Sequence, residues 1–122
     1  MSRNIFTWLH VHEAGRGIWA SKVDQHEKAK KELKESLKQL EEGLGDKPYF
    51  GGDTFGFLDV ALIPFHQWFY AYETVGSFKL DYPKLRSWAK RCGQRESVSK
   101  SLVSEKDIYQ FVLAYRKVYE LD

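Results

Sequence analysis

The sequence predicts an all-α fold with a buried helix at its centre. Across residues 24–44, apolar side chains recur at three- and four-residue steps, the spacing of one helical face. Across residues 57–74, apolar side chains occupy most positions, as in a helix that is buried on every side. No stretch alternates apolar and polar residues as a half-buried strand does. We therefore expect residues 1–122 to form one domain, a bundle of about five or six helices.

The first two predicted helices precede the central one. Residues 5–21 follow helical steps, although Gly15 and Gly17 lower the helix propensity of this stretch. Residues 24–44 are expected to form a surface helix that ends near Gly45. Its single buried side is formed by Ala29, Leu33, Leu37, Leu40 and Leu44.

The turn before the central helix carries a helix-start signal. If Gly56 is the N-cap, Asp59 stands at the third helical position, where its carboxylate can accept from backbone N–H groups of the first turn. Phe55 and Val60 would then form the apolar contact that flanks the cap. Because this role is structural, we expect Asp59→Ala to lower stability by about 0.5–2 kcal/mol.

The remaining helices follow from proline positions and from apolar spacing. Pro64 removes a backbone donor inside the central helix, which predicts a kink there. Pro83 is expected to start a helix that buries Leu85, Trp88, Ala89 and Cys92. A short helical turn is expected at residues 97–102. The last helix, residues 105–120, has an apolar stripe of Ile108, Phe111, Val112, Tyr115, Val118 and Tyr119.

Composition argues against several classes of partner. The net charge is only +2, and basic and acidic residues are interleaved, whereas nucleic-acid binding favours a one-sided basic stripe. No apolar stretch is long enough to span a bilayer. A single cysteine cannot form an internal disulfide, which fits a reducing compartment. We expect a cytoplasmic protein that binds neither nucleic acid nor membrane.

The polar residues do not predict a self-sufficient active site. His10 and His12 lie beside Glu13, but histidines two positions apart diverge on a helix, so we predict no metal site. No motif arranges a nucleophile, and we assign no catalytic residue. Cys92 could be a thiolate favoured by nearby cations, but its place on an apolar stripe favours a buried and inert thiol.

Four motifs carry a resemblance to a known family. They read HEAGRGIW at residues 12–19, KPYFGGDTFGFLD at 47–59, PFHQWFYAYE at 64–73 and PKLRSWAKRC at 83–92. In this order and spacing they resemble the C-terminal helical domain of plant tau-class glutathione transferases. The resemblance extends from about residue 12 to the C-terminus, whereas residues 1–11 match poorly. Gly56 departs from the Ser or Thr that most members carry.

The resemblance implies a function that this chain would share with a second domain. Family members conjugate glutathione, their co-substrate, to apolar electrophiles. The thioredoxin-like half that binds glutathione and supplies the catalytic Ser has no counterpart in these residues. We therefore expect this chain to bind no cofactor of its own and to have little or no transferase activity alone.

The resemblance also places the wall of a substrate pocket. The positions that match the family's pocket residues are His12, Arg16, Trp19, Trp68, Phe111, Tyr115 and Val118. His12 stands where the family usually has Tyr. Considered without the resemblance, aromatic residues on a helical stripe are usually core residues; with the resemblance, the core and the pocket wall both stay open for these positions.

Three hypotheses of function follow from the sequence. The first is the substrate-binding domain described above, whose partner is a small hydrophobic electrophile. The second is a non-catalytic carrier of small hydrophobic ligands, and the third is a helical module that binds another protein. Because 16% of the residues are aromatic, exposed apolar faces are expected to promote a homodimer or pairing with full-length subunits.

Overall fold

The computed structural model describes residues 3–121, and the named elements in that part of the chain are all helical. They are α1 (Arg3–Trp19), α2 (His26–Leu44), α3 (Phe57–His66), α4 (Phe69–Gly76), α5 (Pro83–Gly93), α6 (Glu96–Ser101) and α7 (Glu105–Val118), with a 3-10 turn at Val23–Gln25. The predicted all-α fold is confirmed. The helix count is higher than expected because the predicted central helix is divided into α3 and α4.

Helices α1 and α2 share the most extensive helix contact. The predicted buried side of α2 is confirmed, because all five of its apolar side chains are at most 7% exposed. His26, at the start of α2, is buried beside them, with its Nε2 3.3 Å from the carbonyl oxygen of Ser21. The helix ends at Leu44, and the next residue is Gly45, whose φ of 58° belongs to the left-handed region that favours glycine.

The start of α3 is organised by Asp59, which is completely buried. Its Oδ2 accepts from the backbone N–H of Gly56 at 3.0 Å, the bond predicted for a residue at the third helical position. Its Oδ1 accepts from the backbone N–H of Phe50 and from the indole Nε1 of Trp88, both at 2.9 Å. Asp59 therefore joins three segments: the preceding turn, α3 and α5.

The flanking apolar residues of the cap have other surroundings. Phe55 packs edge to face with Tyr49 at a centroid distance of 5.8 Å, and the guanidinium of Arg95 lies 4.2 Å from its ring centre. Val60 is 50% exposed. The contact predicted between Phe55 and Val60 stays a prediction.

The segment predicted as one buried helix is interrupted just after Pro64. Helix α3 runs through Pro64 and ends at His66. The backbone N–H groups of Gln67 and Trp68 then donate to residues three positions earlier, at 3.2 Å each, which closes the helix end before α4 begins. The prediction of burial on every side is wrong, because the outward face of α3 leaves Phe57 85% exposed and Val60 50% exposed.

The core is centred on aromatic rings contributed by distant parts of the chain. The ring of Trp8 lies 5.8–6.2 Å from those of Phe50, Phe65, Phe69 and Trp88. Trp8 belongs to the start of the chain that was expected to diverge from the family, yet its side chain is fully buried. Among residues 3–121, no helix combines the length and apolar character needed to cross a bilayer.

The buried face of α7 differs from the predicted stripe. Its buried residues are Ile108, Val112 and Arg116, at four-residue steps. Phe111, Val118 and Tyr119 are 54%, 73% and 62% exposed, so their placement on the buried stripe was wrong. The reason is that Arg116 occupies the inward position in the last turn, where its guanidinium binds backbone carbonyl groups of the α1 end.

Candidate functional site

Four of the predicted wall residues form one aromatic cluster. Trp19, the last residue of α1, lies at its centre and is 5% exposed. Its ring centre is 5.2 Å from that of Trp68, 5.9 Å from that of Phe111 and 5.1 Å from that of Tyr115. These distances are typical of favourable tilted and edge-to-face ring pairs. The cluster therefore brings together α1, the α3–α4 junction and α7.

His12 and Arg16 extend this cluster along α1. The ring of His12 meets those of Phe65 and Trp68 edge to face, at 5.6 Å and 6.0 Å. The guanidinium carbon of Arg16 lies 5.7 Å from the ring centre of Trp19, within the range of a cation–π contact. The three positions follow three- and four-residue steps on one face of α1, which explains why the sequence pattern could group them.

Val118, the seventh predicted wall residue, is exposed, unlike the buried centre of the cluster. It is the last residue of α7 and 73% exposed, whereas Tyr115, one turn earlier, is partly buried against Trp19. Six of the seven predicted residues thus have ring or cation contacts within one region, and Val118 lies on the adjoining surface.

An apolar cavity of about 320 Å³ opens beside the cluster. Trp68 and Phe111 belong to both the cluster and the cavity wall. The other lining residues were not among those predicted from the sequence; they are Pro64, Gln67, Ser101, Leu102, Val103, Asp107 and Ile108. Pro64 and Ile108 could have been found, because they stand one helical turn from Trp68 and Phe111. Residues 101–103 lie at and just after the end of α6, and only the tertiary fold brings them to the cavity.

The cavity offers apolar contact and little acid–base chemistry. Asp107 is the ionisable residue among those that line it, and its backbone N–H is bound at 3.1 Å by the Ser104 side chain that caps α7. The side-chain amide of Gln67 donates to the carbonyl of Val103 at 2.9 Å, which ties the α3–α4 junction to the segment before α7. The site can bind and orient an apolar molecule, but it presents no group placed to activate a thiol.

Two buried nitrogen atoms of the cluster lack hydrogen-bond partners within the described part of the chain. They are Nε1 of Trp19 and Nδ1 of His12, where the ring orientation of the histidine is assigned. Unpaired buried polar atoms are uncommon in folded proteins and recur at sites of binding. Because Nε1 of Trp8 and Oη of Tyr72, both in the core, are unpaired as well, this feature does not distinguish the predicted wall from the core.

The histidines do not assemble a metal site. Over residues 3–121, no group of three His, Cys, Asp or Glu side chains could hold an ion. His10 is exposed and His26 is buried. His66 packs on Phe69 with ring centres 4.4 Å apart, and burial lowers its pKa to about 4, so its imidazole is neutral at pH 7.

Cys92 is expected to be chemically inert while the chain is folded. It is fully buried; burial raises its pKa from the ordinary 9 to about 12, and the Asp59 carboxylate adds to the rise. Iodoacetamide should label the folded chain far more slowly than the urea-unfolded chain at pH 8. Because the chain has one cysteine, all labelling reports Cys92. Equal labelling rates in the two states would contradict this account.

The same thiol gives a pH dependence. An unfolded chain ionises its cysteine near pH 9, whereas the folded chain holds the proton to about pH 12. The contribution of Cys92 to stability is therefore present below pH 9 and falls as the pH rises through this window.

Comparison with known proteins identifies the family. Residues 23–91 match the family model described as the glutathione S-transferase C-terminal domain. The chain is 51% identical over 114 residues to a probable glutathione S-transferase, parC, of Nicotiana tabacum, covering 92% of this chain and 52% of that protein. It is 53% identical over 109 residues to glutathione S-transferase U25 of Arabidopsis thaliana, covering 88% of this chain and 49% of that protein. The chain thus spans about half the length of these curated relatives.

Solved structures agree with this assignment. The chain superposes on the crystal structure of rice GST1 in complex with glutathione with a TM-score of 0.82 at 39% identity, covering 93% of this chain and 55% of that one. It also shares its fold with Leishmania TDR1, a trimeric glutathione transferase, with a TM-score of 0.69 at 20% identity, covering 98% of this chain and 29% of that one. The chain therefore belongs to the glutathione S-transferase family, and its residues correspond to the helical C-terminal domain of the plant tau class.

Proposed function

We propose that this chain provides the hydrophobic-substrate wall of a tau-class glutathione transferase. The observation that carries the proposal is the sharing of Trp68 and Phe111 between the aromatic cluster and an apolar cavity of about 320 Å³. A cavity of this size lies in the usual range for small-ligand sites. The bound molecule would be a small apolar or aromatic electrophile, held against the indole and phenyl rings.

The proposed role in catalysis is binding and orientation. In a glutathione conjugation, the thiolate sulfur attacks an electrophilic carbon, and apolar walls contribute by holding that carbon in line. None of the residues that line the cavity is placed to stabilise a thiolate. We therefore propose that conjugation needs a glutathione-binding half, and that this chain alone is weakly active or inactive.

The experiment has two parts and uses the purified chain. Conjugation of 1-chloro-2,4-dinitrobenzene with glutathione measures activity, and titration with 1-anilinonaphthalene-8-sulfonate (ANS) measures binding in the cavity. We expect saturable ANS binding and no turnover above the uncatalysed rate. Absence of saturable binding would contradict the proposed wall, and clear turnover would contradict the need for a second half.

Phe111→Ala is expected to weaken ANS binding by about tenfold, since an aromatic side chain that lines a pocket contributes on the order of 1–2 kcal/mol. Phe111 is 54% exposed, so its removal should leave the fold intact. The matched control is Phe57→Ala, because Phe57 is also an exposed phenylalanine and lies outside the cavity wall. Equal affinities of the two variants would contradict the assignment of Phe111.

The two other hypotheses are each favoured by one observation. A carrier function is favoured by the apolar lining of the cavity. It predicts the same ANS binding, and an ANS affinity that added glutathione does not change. An interaction module is favoured by the exposed apolar row on α3, where Phe57, Val60 and Pro64 follow helical steps. We also propose that this exposed row on α3 promotes a homodimer or pairing with full-length subunits. A separate proposal is that the protein is cytoplasmic.

A further inference from the structure

Arg116 is a buried cation whose side chain joins two ends of the candidate site. It lies in the last turn of α7 and is 5% exposed. The two N–H groups of its Nη1 are shared among the carbonyl oxygens of Ile18, Trp19 and Ser21, which lie 3.2, 3.0 and 2.7 Å from that nitrogen. Its Nη2 donates to the carbonyl of Leu121 at 3.3 Å. A single guanidinium thus binds the end of α1, the connection that follows it and the residues after α7.

Two of the acceptors of Arg116, the carbonyls of Ile18 and Trp19, are groups that a helix leaves without partners. Helix α1 ends at Trp19, and the last carbonyls of a helix have no partner within it. These carbonyls carry the negative end of the helix dipole, so a cation there is favoured over a neutral donor. The planar guanidinium presents five N–H groups in a fixed fork, which suits several carbonyls at once.

The same bonds determine where the walls of the site stand. Helix α7 packs chiefly against α4, and its approach to the end of α1 is made through the aromatic rings and Arg116. One of the bound carbonyls belongs to Trp19, the central ring of the cluster. The residue before Arg116 is Tyr115, which contacts that ring at 5.1 Å. A shift of α7 along α1 would move Tyr115 and Phe111 relative to Trp19 and change the cavity.

We propose that Arg116 is a positioning residue for the hydrophobic site, holding α7 in register with the end of α1 so that Phe111 and Tyr115 face Trp19. The inference rests on the proposed function. Arg116 acts through the rings it positions, and no contact of its own with the ligand is invoked. The residue lies outside the seven positions that the family resemblance indicated for the pocket.

The test compares Arg116→Met and Arg116→Lys with the unchanged chain, using ANS affinity and near-ultraviolet circular dichroism. The methionine variant keeps much of the apolar stem and loses every donor, whereas lysine keeps one charged donor group without the fork. We expect about tenfold weaker ANS binding for methionine and a smaller loss for lysine, since hydrogen bonds from a charged group are among the stronger ones. For Arg116→Met we also expect a changed near-ultraviolet circular dichroism spectrum, which reports the aromatic rings, and an unchanged far-ultraviolet spectrum, which reports the helices.

Two controls separate positioning from charge and from stability. Lys117→Met removes an equal charge from an exposed neighbour on α7 and should bind ANS normally. Leu40→Val lowers stability from a fully buried position on α2, and it should also keep the affinity and the aromatic signal. Weakened binding in either control by as much as in Arg116→Met would overturn the inference.

The remaining outcomes are also decisive. A folded Arg116→Met variant with unchanged ANS affinity would overturn the inference, and if that variant does not fold, unchanged affinity of Arg116→Lys would do the same. Failure of the proposed function has a different signature, because Phe111→Ala would then bind ANS as tightly as the unchanged chain. Weak binding by Phe111→Ala with normal binding by both Arg116 variants would refute only the positioning role.

Discussion

Replacing Asp59 with alanine is expected to lower the free energy of unfolding by about 3–5 kcal/mol, because it leaves two buried donors and one partly buried donor without a partner, and a buried unpaired donor costs about 1–3 kcal/mol. The donors are the backbone N–H groups of Phe50 and Gly56 and the indole of Trp88. The loss exceeds that of an ordinary helix cap, which is about 0.5–2 kcal/mol. Urea unfolding followed by far-ultraviolet circular dichroism would measure it.

The exposed residue Asp53, in the same turn, provides the control. Asp53→Ala should change the stability by less than about 0.5 kcal/mol, as is usual for surface substitutions. A double-mutant cycle with Trp88→Phe would isolate the indole bond, since the two residues are in direct contact. A loss for Asp59→Ala as small as that for Asp53→Ala would refute the organising role of this carboxylate.

Gly15→Ala is expected to destabilise the chain by about 2–3 kcal/mol through overpacking, even after the gain in helix propensity. A Cβ at this position would meet Cζ of Tyr72 closely and lie 2.5 Å from its Cε1 and 2.6 Å from its Oη. Tyr72 is fully buried, so its ring has little freedom to withdraw. Thermal unfolding of the variant would show a lowered midpoint.

Gly93→Ala is the matched control for this substitution. Gly93 also lies in a helix, at the end of α5, and a Cβ there would meet no atom within 4 Å. The control should therefore be neutral or stabilising by up to about 1 kcal/mol. A Gly15→Ala variant as stable as Gly93→Ala would contradict the close packing of α1 on α4 at Gly15 and Tyr72.

Features set by local spacing were predictable from the sequence. The buried stripe of α2 repeats at helical steps, and the position of Asp59 relative to Gly56 specifies one hydrogen bond of the helix start. The bond from Trp88 to Asp59 was not predictable, because 29 residues separate the partners and only the packed fold brings them together. For the same reason, the loss expected for Asp59→Ala from the sequence alone is smaller than the loss expected from its three hydrogen bonds in the structure.

Features that depend on an unusual inward residue were missed. From the sequence, an arginine in the last turn of α7 is expected at the surface. The apolar spacing therefore placed Val118 and Tyr119, rather than Arg116, on the buried side. The contact of Arg116 with α1 spans more than 90 residues of sequence, as does the approach of Tyr115 to Trp19. The family resemblance, and not the spacing, brought the site residues of α1 and α7 together.

The most direct test of the proposed wall uses the four tryptophans as separate reporters. Their indole N–H groups give four resonances in a ¹H–¹⁵N spectrum, which single Trp→Phe variants would assign. Trp19 and Trp68 lie in the aromatic cluster, whereas Trp8 and Trp88 are fully buried in the core. On titration with ANS, the account predicts saturable shifts of the Trp68 and Trp19 resonances, with those of Trp8 and Trp88 nearly unchanged. Shifts confined to Trp8 and Trp88, or none at Trp68 while ANS binds, would place the ligand elsewhere and contradict the account.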